Sequence, residues 1–335
     1  LHQVAAGSVL PDFASVPLAK VFAGKRLAFR QATVTGFDLA EHKVKTTQGP
    51  IGYDVLVLAL GGEVDYFDLP IPRIPGLREH AVGIQTMQQA NHAQTRLQDV
   101  LYRYAKGYRE GAEPLTLVIG GGGMTGVEIA GQLADEVHDW RKEYRLPKEA
   151  VRVVLVEAQD RILPGIHPEI AEYATAVLQK RGVTVWVKTI IARVERDRLT
   201  LGSGETVGMD MMIWAGGVRG PSVIADSALK LDSKGRVIVN GYLQAEGHET
   251  VYALGDCALC LHPHTGQPSP PSARMALNQG KWLARFLAGE WTFPFDPHTT
   301  GAVISLGQGA AVAVVGRLRF YGRIAYWLKS LISLK

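Results

Sequence analysis

Cysteine is scarce in this 335-residue chain: Cys257 and Cys260 alone cannot build a disulfide framework. That predicts an intracellular protein or one indifferent to its redox compartment. Long apolar runs are missing too, since none reaches the ~18 residues that a membrane-spanning helix needs. Charge of one sign is not in excess. The 36 basic and 32 acidic residues leave a net charge of +4, too small and too dispersed for a nucleic-acid footprint. The start lacks a methionine and a basic-then-apolar leader, and the end, inside an apolar periodic segment, lacks a helix stop signal. The expectation is therefore a chain cut at both ends. What is present, 47% hydrophobic and 20% charged residues, is a globular balance with room for two domains.

Residues 53–62 form a polar start, an apolar run and a Gly61-Gly62 exit, the pattern of a buried parallel strand. Residues 210–217 repeat that plan and exit at Gly216-Gly217, which predicts two related sheets. Between them, residues 115–119 read as a strand and residues 120–126 as a glycine turn. A helix follows with Ile129, Leu133, Val137 and Trp140 on one face. The strand at 151–156 completes a βαβ unit and runs into Glu157. A helix over 168–181, a strand over 183–187 and a small hairpin over 193–207 are expected next. The helix-prone stretch 85–109 leads to Pro114, taken as the entry to the middle domain.

Gly121, Gly123 and Gly126 satisfy a dinucleotide fingerprint. The first permits the tight turn, the second lets backbone approach a pyrophosphate, and the third lets helix pack close on strand. The helix N-terminus would offer its free N–H groups to phosphate. Glu157 stands where a carboxylate accepts from the adenosine ribose and repels a 2′-phosphate, favouring NADH over NADPH. The same residues also fit a plain glycine-rich turn and a solvated strand-end glutamate. Cys257 and Cys260 with His262 and His264 could hold zinc or form a redox dithiol, but no second ligand cluster stands at standard spacing, and no metal is expected.

Residues 250–258, a short strand feeding Gly255 and Asp256, resemble the flavin-binding strand of the pyridine nucleotide-disulfide oxidoreductases. The resemblance implies that Asp256 holds the ribityl chain of FAD and that Gly61-Gly62 and Gly216-Gly217 end the paired crossover strands. Leu60 and Gly62 replace the commoner threonine and serine there. Within that superfamily the chain resembles the type II, non-proton-pumping NADH:quinone oxidoreductases, through residues 1–7, 53–62, 120–131 and 250–258 and through Pro270, Pro271, Ser272 and Ala273. The first glycine fingerprint of that family, which binds the ADP half of FAD, precedes the segment matched by Leu1. In the family a glutamate placed as Glu128 lies near nicotinamide and flavin. Glutamines on the helix after the double proline lie beside the quinone, and here those positions read Arg274, Asn278 and Gln279. An amphipathic helix with Met275, Leu283 and Leu287 on its buried face accounts for the same segment.

Beyond Asp296 no acidic residue occurs, while Arg317, Arg319, Arg323, Lys329 and Lys335 are basic. Phe320, Ile324, Trp327, Leu328 and Leu331 stand among them at helical spacing, the pattern of a cationic amphipathic helix for an anionic membrane surface. Docking on the chain's own domain or on a homodimer partner is the rival reading of that pattern, and the family resemblance favours the membrane.

The expected architecture is α/β with two Rossmann-like domains, the FAD domain lacking its first βαβ unit. The expected spans are 1–113 and 219–290 for FAD, 114–218 for NADH, and 291–335 for the membrane-associating segment. The resemblance implies FAD, NADH and a membrane quinone, and a peripheral enzyme on the cytoplasmic face of the cell membrane. A soluble flavoprotein reductase of a protein or disulfide partner, and a non-catalytic nucleotide-binding fragment, are the alternatives.

Overall fold

The computed structural model describes all residues but 68–72, 109–113, 264, 270, 298–300, 317 and 334–335, and for 330–333 it describes backbone only. His264, Pro270, Arg317, Lys335 and the side chain of Leu331, all used above, lie outside the described parts. The chain divides into two compact units: Leu1–Pro17, Val64–Gly217 and Thr300–Lys335 form the first, and Leu18–Glu63 with Val218–Thr299 the second.

The first unit is built on a five-stranded parallel sheet. Its spatial order is Ala81–Val82, Met211–Trp214, Leu115–Gly120, Val151–Val156, Val183–Trp186. The strands Leu115–Gly120 and Met211–Trp214 are buried throughout, because helices cover one face of the sheet and the antiparallel strands around Ile191, Leu199 and Leu201 cover the other. The helix Met124–Glu143 starts at Gly123 and buries Val127, Ile129, Leu133 and Val137 against that sheet. Trp140 packs at the edge of the same core. The helix Pro168–Lys180 begins with proline at its first position, where a missing N–H costs nothing. A Thr86–Gln89 capping box opens the helix Met87–Ala105.

Residues 191–208 form three antiparallel strands, one more than the expected hairpin, with the Gly202 to Gly204 turn between the last two. The tail departs further from expectation. Strands Gly301–Ser305, Ala311–Val315 and Leu318–Tyr321 make an antiparallel meander before the helix Gly322–Ser333 begins. Phe320 is thus a strand residue opposite Ala313, not a position on the amphipathic helix. Ala311, Ala313 and the helical Ala325 make a small core beneath it, so small residues let helix and hairpin approach.

In the second unit, Leu56–Leu58 pairs in parallel with Val251–Ala253, bringing the ends of those two strands side by side. The run expected to be buried is only partly so: Val55 and Val57 are 47% and 39% exposed, because among the described residues this strand has one neighbour and one covered face. The helix Ala273–Leu287, capped by Ser272, buries Met275, Gln279, Trp282 and Leu283, whereas Leu287 is exposed.

Leu133 has no solvent exposure in the main core of the first unit. Leu133→Ala is expected to cost about 2–5 kcal/mol. Denaturant unfolding checks this, and an unchanged midpoint would contradict the packing described.

Candidate functional site

The glycine corner of the first unit is set by close approaches that forbid side chains. A Cβ on Gly126 would lie 1.9 Å from the Gly121 carbonyl oxygen, and one on Gly121 would lie 2.7 Å from Ala215 and Gly216 backbone atoms. Gly121 also adopts φ +105°, a conformation natural to glycine. A Cβ on Gly216 would strike the Trp214 ring at 2.2 Å. Gly217 accepts a hydrogen bond from the Asp65 N–H at 3.0 Å. Gly123 differs from these: a Cβ there would meet nothing within 4 Å. The space in front of the helix is therefore open, and no side chain caps the helix N-terminus. An open end with uncapped N–H groups fits the pyrophosphate of a dinucleotide.

Glu157 is not a solvated strand-end residue. It is 8% exposed, and its two oxygens accept from the Gly122 N–H at 2.7 Å and the Gln159 N–H at 2.8 Å. The carboxylate thus clamps the glycine turn and retains acceptor capacity for a further donor such as a sugar hydroxyl. Arg161 lies 3.6 Å from the carboxylate of its neighbour Asp160.

Glu128 sits in the second turn of the same helix, at the centre of a cluster drawn from three distant parts of the chain. Its Oε1 accepts from Lys329 Nζ at 2.9 Å and from the Ser305 N–H at 3.1 Å. His2 Nδ1 lies 3.6 Å from its Oε2. Burial pushes the His2 pKa down, against the attraction of Glu128. Lys329 and Ser305 also line a cavity of about 670 Å³ with Gln3, Gln132, Gln308 and Tyr326. Sequence reasoning missed His2, Ser305 and the pairing of Lys329. The last is separated from Glu128 by 201 positions, and no local spacing carries such a signal.

The second unit gathers the other expected residues. Gly61 and Gly255 adopt positive φ. A Cβ on Gly62 would lie 3.2 Å from the Asp256 Cβ and 2.3 Å from Val218, so only glycine fits beside Asp256. Burial raises the Asp256 pKa, partly offset by Arg236, and no protein donor bonds its carboxylate among the described residues. A half-buried acceptor without a donor fits the polyol hydroxyls of a flavin. Gln279 is 2% exposed, and its Oε1 accepts from the Gly255 N–H at 2.7 Å. It braces the aspartate loop. Its neighbours Arg274 and Asn278 are exposed and half-buried. Cys257 and Cys260 are buried free thiols whose pKa values burial pushes up, which disfavours thiolate chemistry.

Residues 9–280 match the family described as pyridine nucleotide-disulphide oxidoreductase. Type II NADH:quinone oxidoreductases of Staphylococcus aureus are 30% identical over 99% of this chain and 83% of their own length. The chain belongs to the pyridine nucleotide-disulphide oxidoreductases, in their type II NADH:quinone oxidoreductase branch. Solved structures with the same fold include NDH2 from Plasmodium falciparum in complex with NADH, with TM-score 0.85 and 16% identity over 99% of this chain and 86% of that one. A ferredoxin reductase from Rhodopseudomonas palustris superposes with TM-score 0.73 and 19% identity, over 93% and 72% of the two chains.

Two measurements check this oxidoreductase's geometry. Gly123→Ala is expected to leave thermal stability nearly unchanged while weakening NADH binding, whereas Gly126→Ala should damage both; equal behaviour of the two variants would contradict the open corner. Asp256 has a raised folded-state pKa, so its ionisation opposes folding and stability falls as pH rises through that value. Asp256→Asn is therefore expected to raise the Tm near pH 7, with the gain vanishing once the pH drops below the ordinary carboxylate range. A loss of Tm at pH 7 would contradict it.

Proposed function

We propose that this oxidoreductase passes electrons from NADH through FAD to a quinone. The observation that carries the reading is the open, uncapped glycine corner with the Glu128 and Lys329 pair one turn beyond it on the same helix. A bound flavin would supply the two-electron chemistry between nicotinamide and the acceptor. The protein's share is position and charge. Gly121, Gly123 and Gly126 seat the pyrophosphate, and Glu157 holds the ribose while it braces the turn. Asp256 accepts from the flavin's polyol chain. Gly61, Gly62, Gly216, Gly217 and Gly255 keep the two loops narrow enough for cofactor to approach backbone.

Quinone reduction consumes protons as well as electrons. Glu128 is the group we assign to hold one, its carboxylate fixed in place by Lys329 and the Ser305 N–H. The cavity lined by Lys329 and Ser305, both partners of Glu128, leaves room for the acceptor's polar ring. Gln279 acts through Gly255, as a positioning residue for the Asp256 loop.

The surface reading is that this is a peripheral enzyme of the cytoplasmic membrane face, bound through its C-terminal helix. No described helix is long and apolar enough to cross a membrane. Arg323, Ile324 and Trp327 share the outward side of the helix, with Ile324 66% and Trp327 71% exposed. Leu318 on the hairpin is exposed as well. Two of the tail's cations are engaged elsewhere, Lys329 with Glu128 and Arg319 with Glu169. The apolar face therefore carries more of the proposed contact than charge does. A homodimer covering the same face is the rival, and flotation on anionic vesicles against sedimentation of the free chain separates them.

Loaded with FAD, the chain is expected to oxidise NADH with a water-soluble quinone, and Glu128→Gln to lower kcat by about tenfold or more with NADH affinity retained. Absence of both flavin absorbance and NADH oxidation would overturn the assignment.

A further inference from the structure

The two carboxylate oxygens of Glu128 have different surroundings. Oε1 is taken, since Lys329 Nζ donates to it at 2.9 Å and the Ser305 N–H at 3.1 Å. Oε2 accepts no hydrogen bond among the described residues, and its one ion-pair partner there is His2 Nδ1, 3.6 Å away. That distance is too long for a hydrogen bond and short enough for a small side-chain adjustment to close, as happens where a bond tightens only with substrate in place. Both side chains keep some contact with solvent, His2 at 23% and Glu128 at 18% exposure.

His2 is firmly placed. It opens the short helix His2–Ala6, whose Val4, Ala5 and Ala6 have no solvent exposure in the main core, and that helix ends at Gly7 with φ +94°. Imidazole is the side chain that ordinarily titrates near neutrality. Burial lowers the His2 pKa, and the attraction of Glu128 opposes this; Lys329 and the Leu1 amino group, the other charges that act on the ring, lower it further. A structural ion pair would account for a charged imidazole beside Oε2. A histidine whose surroundings favour the neutral form is a poor partner for such a pair, and a good one for passing a proton on.

We propose that His2 is the relay that returns a proton from water to Glu128 after each reduction of the acceptor, an inference that rests on the assignment of Glu128 above. Reducing a quinone to a quinol takes two electrons and two protons. The hydride of NADH accounts for both electrons and one hydrogen nucleus, so one proton must come from water. The Glu128 O–H bond breaks as its proton passes to a carbonyl oxygen of the acceptor, which leaves the carboxylate. The N–H bond at His2 Nδ1 then breaks, the proton goes to Oε2, and the neutral ring is reprotonated from water at its exposed edge. Lys329 and the Ser305 N–H occupy Oε1, so the mobile proton resides on the oxygen that faces His2. His2 thus acts through Glu128 and not on the acceptor itself.

The test uses the FAD-loaded full chain with NADH and a water-soluble quinone. His2→Gln, which keeps a polar tip of similar size, is expected to lower kcat at pH 7 by roughly tenfold. NADH affinity and the anaerobic rate at which NADH bleaches the flavin should stay as in the parent. The parent's kcat is expected to rise as the pH falls through the His2 ionisation, at a midpoint below the ordinary imidazole value of 6.5, and His2→Gln to lack that limb. His2→Ala should regain most of its lost rate when imidazole is added to the solution. Full turnover in His2→Gln, or a loss that keeps the parent's pH profile and that imidazole does not restore in His2→Ala, overturns the inference and leaves His2 a structural neighbour. Undiminished turnover in Glu128→Gln instead removes the Glu128 assignment beneath it.

Discussion

A carbonyl oxygen and a helix turn meet at the Gly121 and Gly126 pair with no room for a methyl group, and the nucleotide end of the first unit is arranged around that contact. Because the helix sits this close to its strand, its uncapped N-terminus points into open space at Gly123 instead of being lifted away by a side chain. The Gly122 N–H is turned to Glu157, which makes the strand-end carboxylate part of the turn as well as the ribose acceptor proposed above. The same approach fixes where Glu128 lies, since it is the second residue after Gly126 on a helix with little freedom to shift. Its contacts with Lys329 and Ser305 follow from that placement.

The second unit uses a different device for a similar purpose. Two parallel strands end side by side, and Gly62 lets backbone come close to Asp256, whose carboxylate has no protein donor among the described residues. Holding an unpaired carboxylate half-buried costs stability, and natural structures retain such groups where a ligand completes them. Gln279, buried on the neighbouring helix, spends its acceptor on the Gly255 N–H and so keeps the loop from relaxing. The assignment of these residues to FAD is a proposal that rests on this unmatched acceptor.

Local order accounts for most of what was readable. The strand, glycine turn and helix at 115–143 were legible because burial of a parallel strand demands a continuous apolar run and an amphipathic helix demands a 3.6-residue period. The tail was misread at Phe320 for the same reason: apolar residues in a short strand followed by a helix satisfy a helical spacing by coincidence. Only pairing with Ala313 reveals the strand. Leu287 fails in the opposite sense, since periodicity names a face but not whether anything covers the last turn.

By itself the sequence determined the α/β pattern, the fingerprint at Gly121, Gly123 and Gly126 and the strand-end position of Glu157, because each follows from residue type within one turn or one strand, whereas Asp256 stood out only through the family resemblance. Only the tertiary structure decided that Glu128 is held by Lys329 and Ser305, that Gln279 is buried under the aspartate loop, and that His2 lies beside the second oxygen of Glu128. Those facts depend on which distant segments pack together. Contact across two hundred residues leaves no period to read, since it arises from the closure of the whole fold.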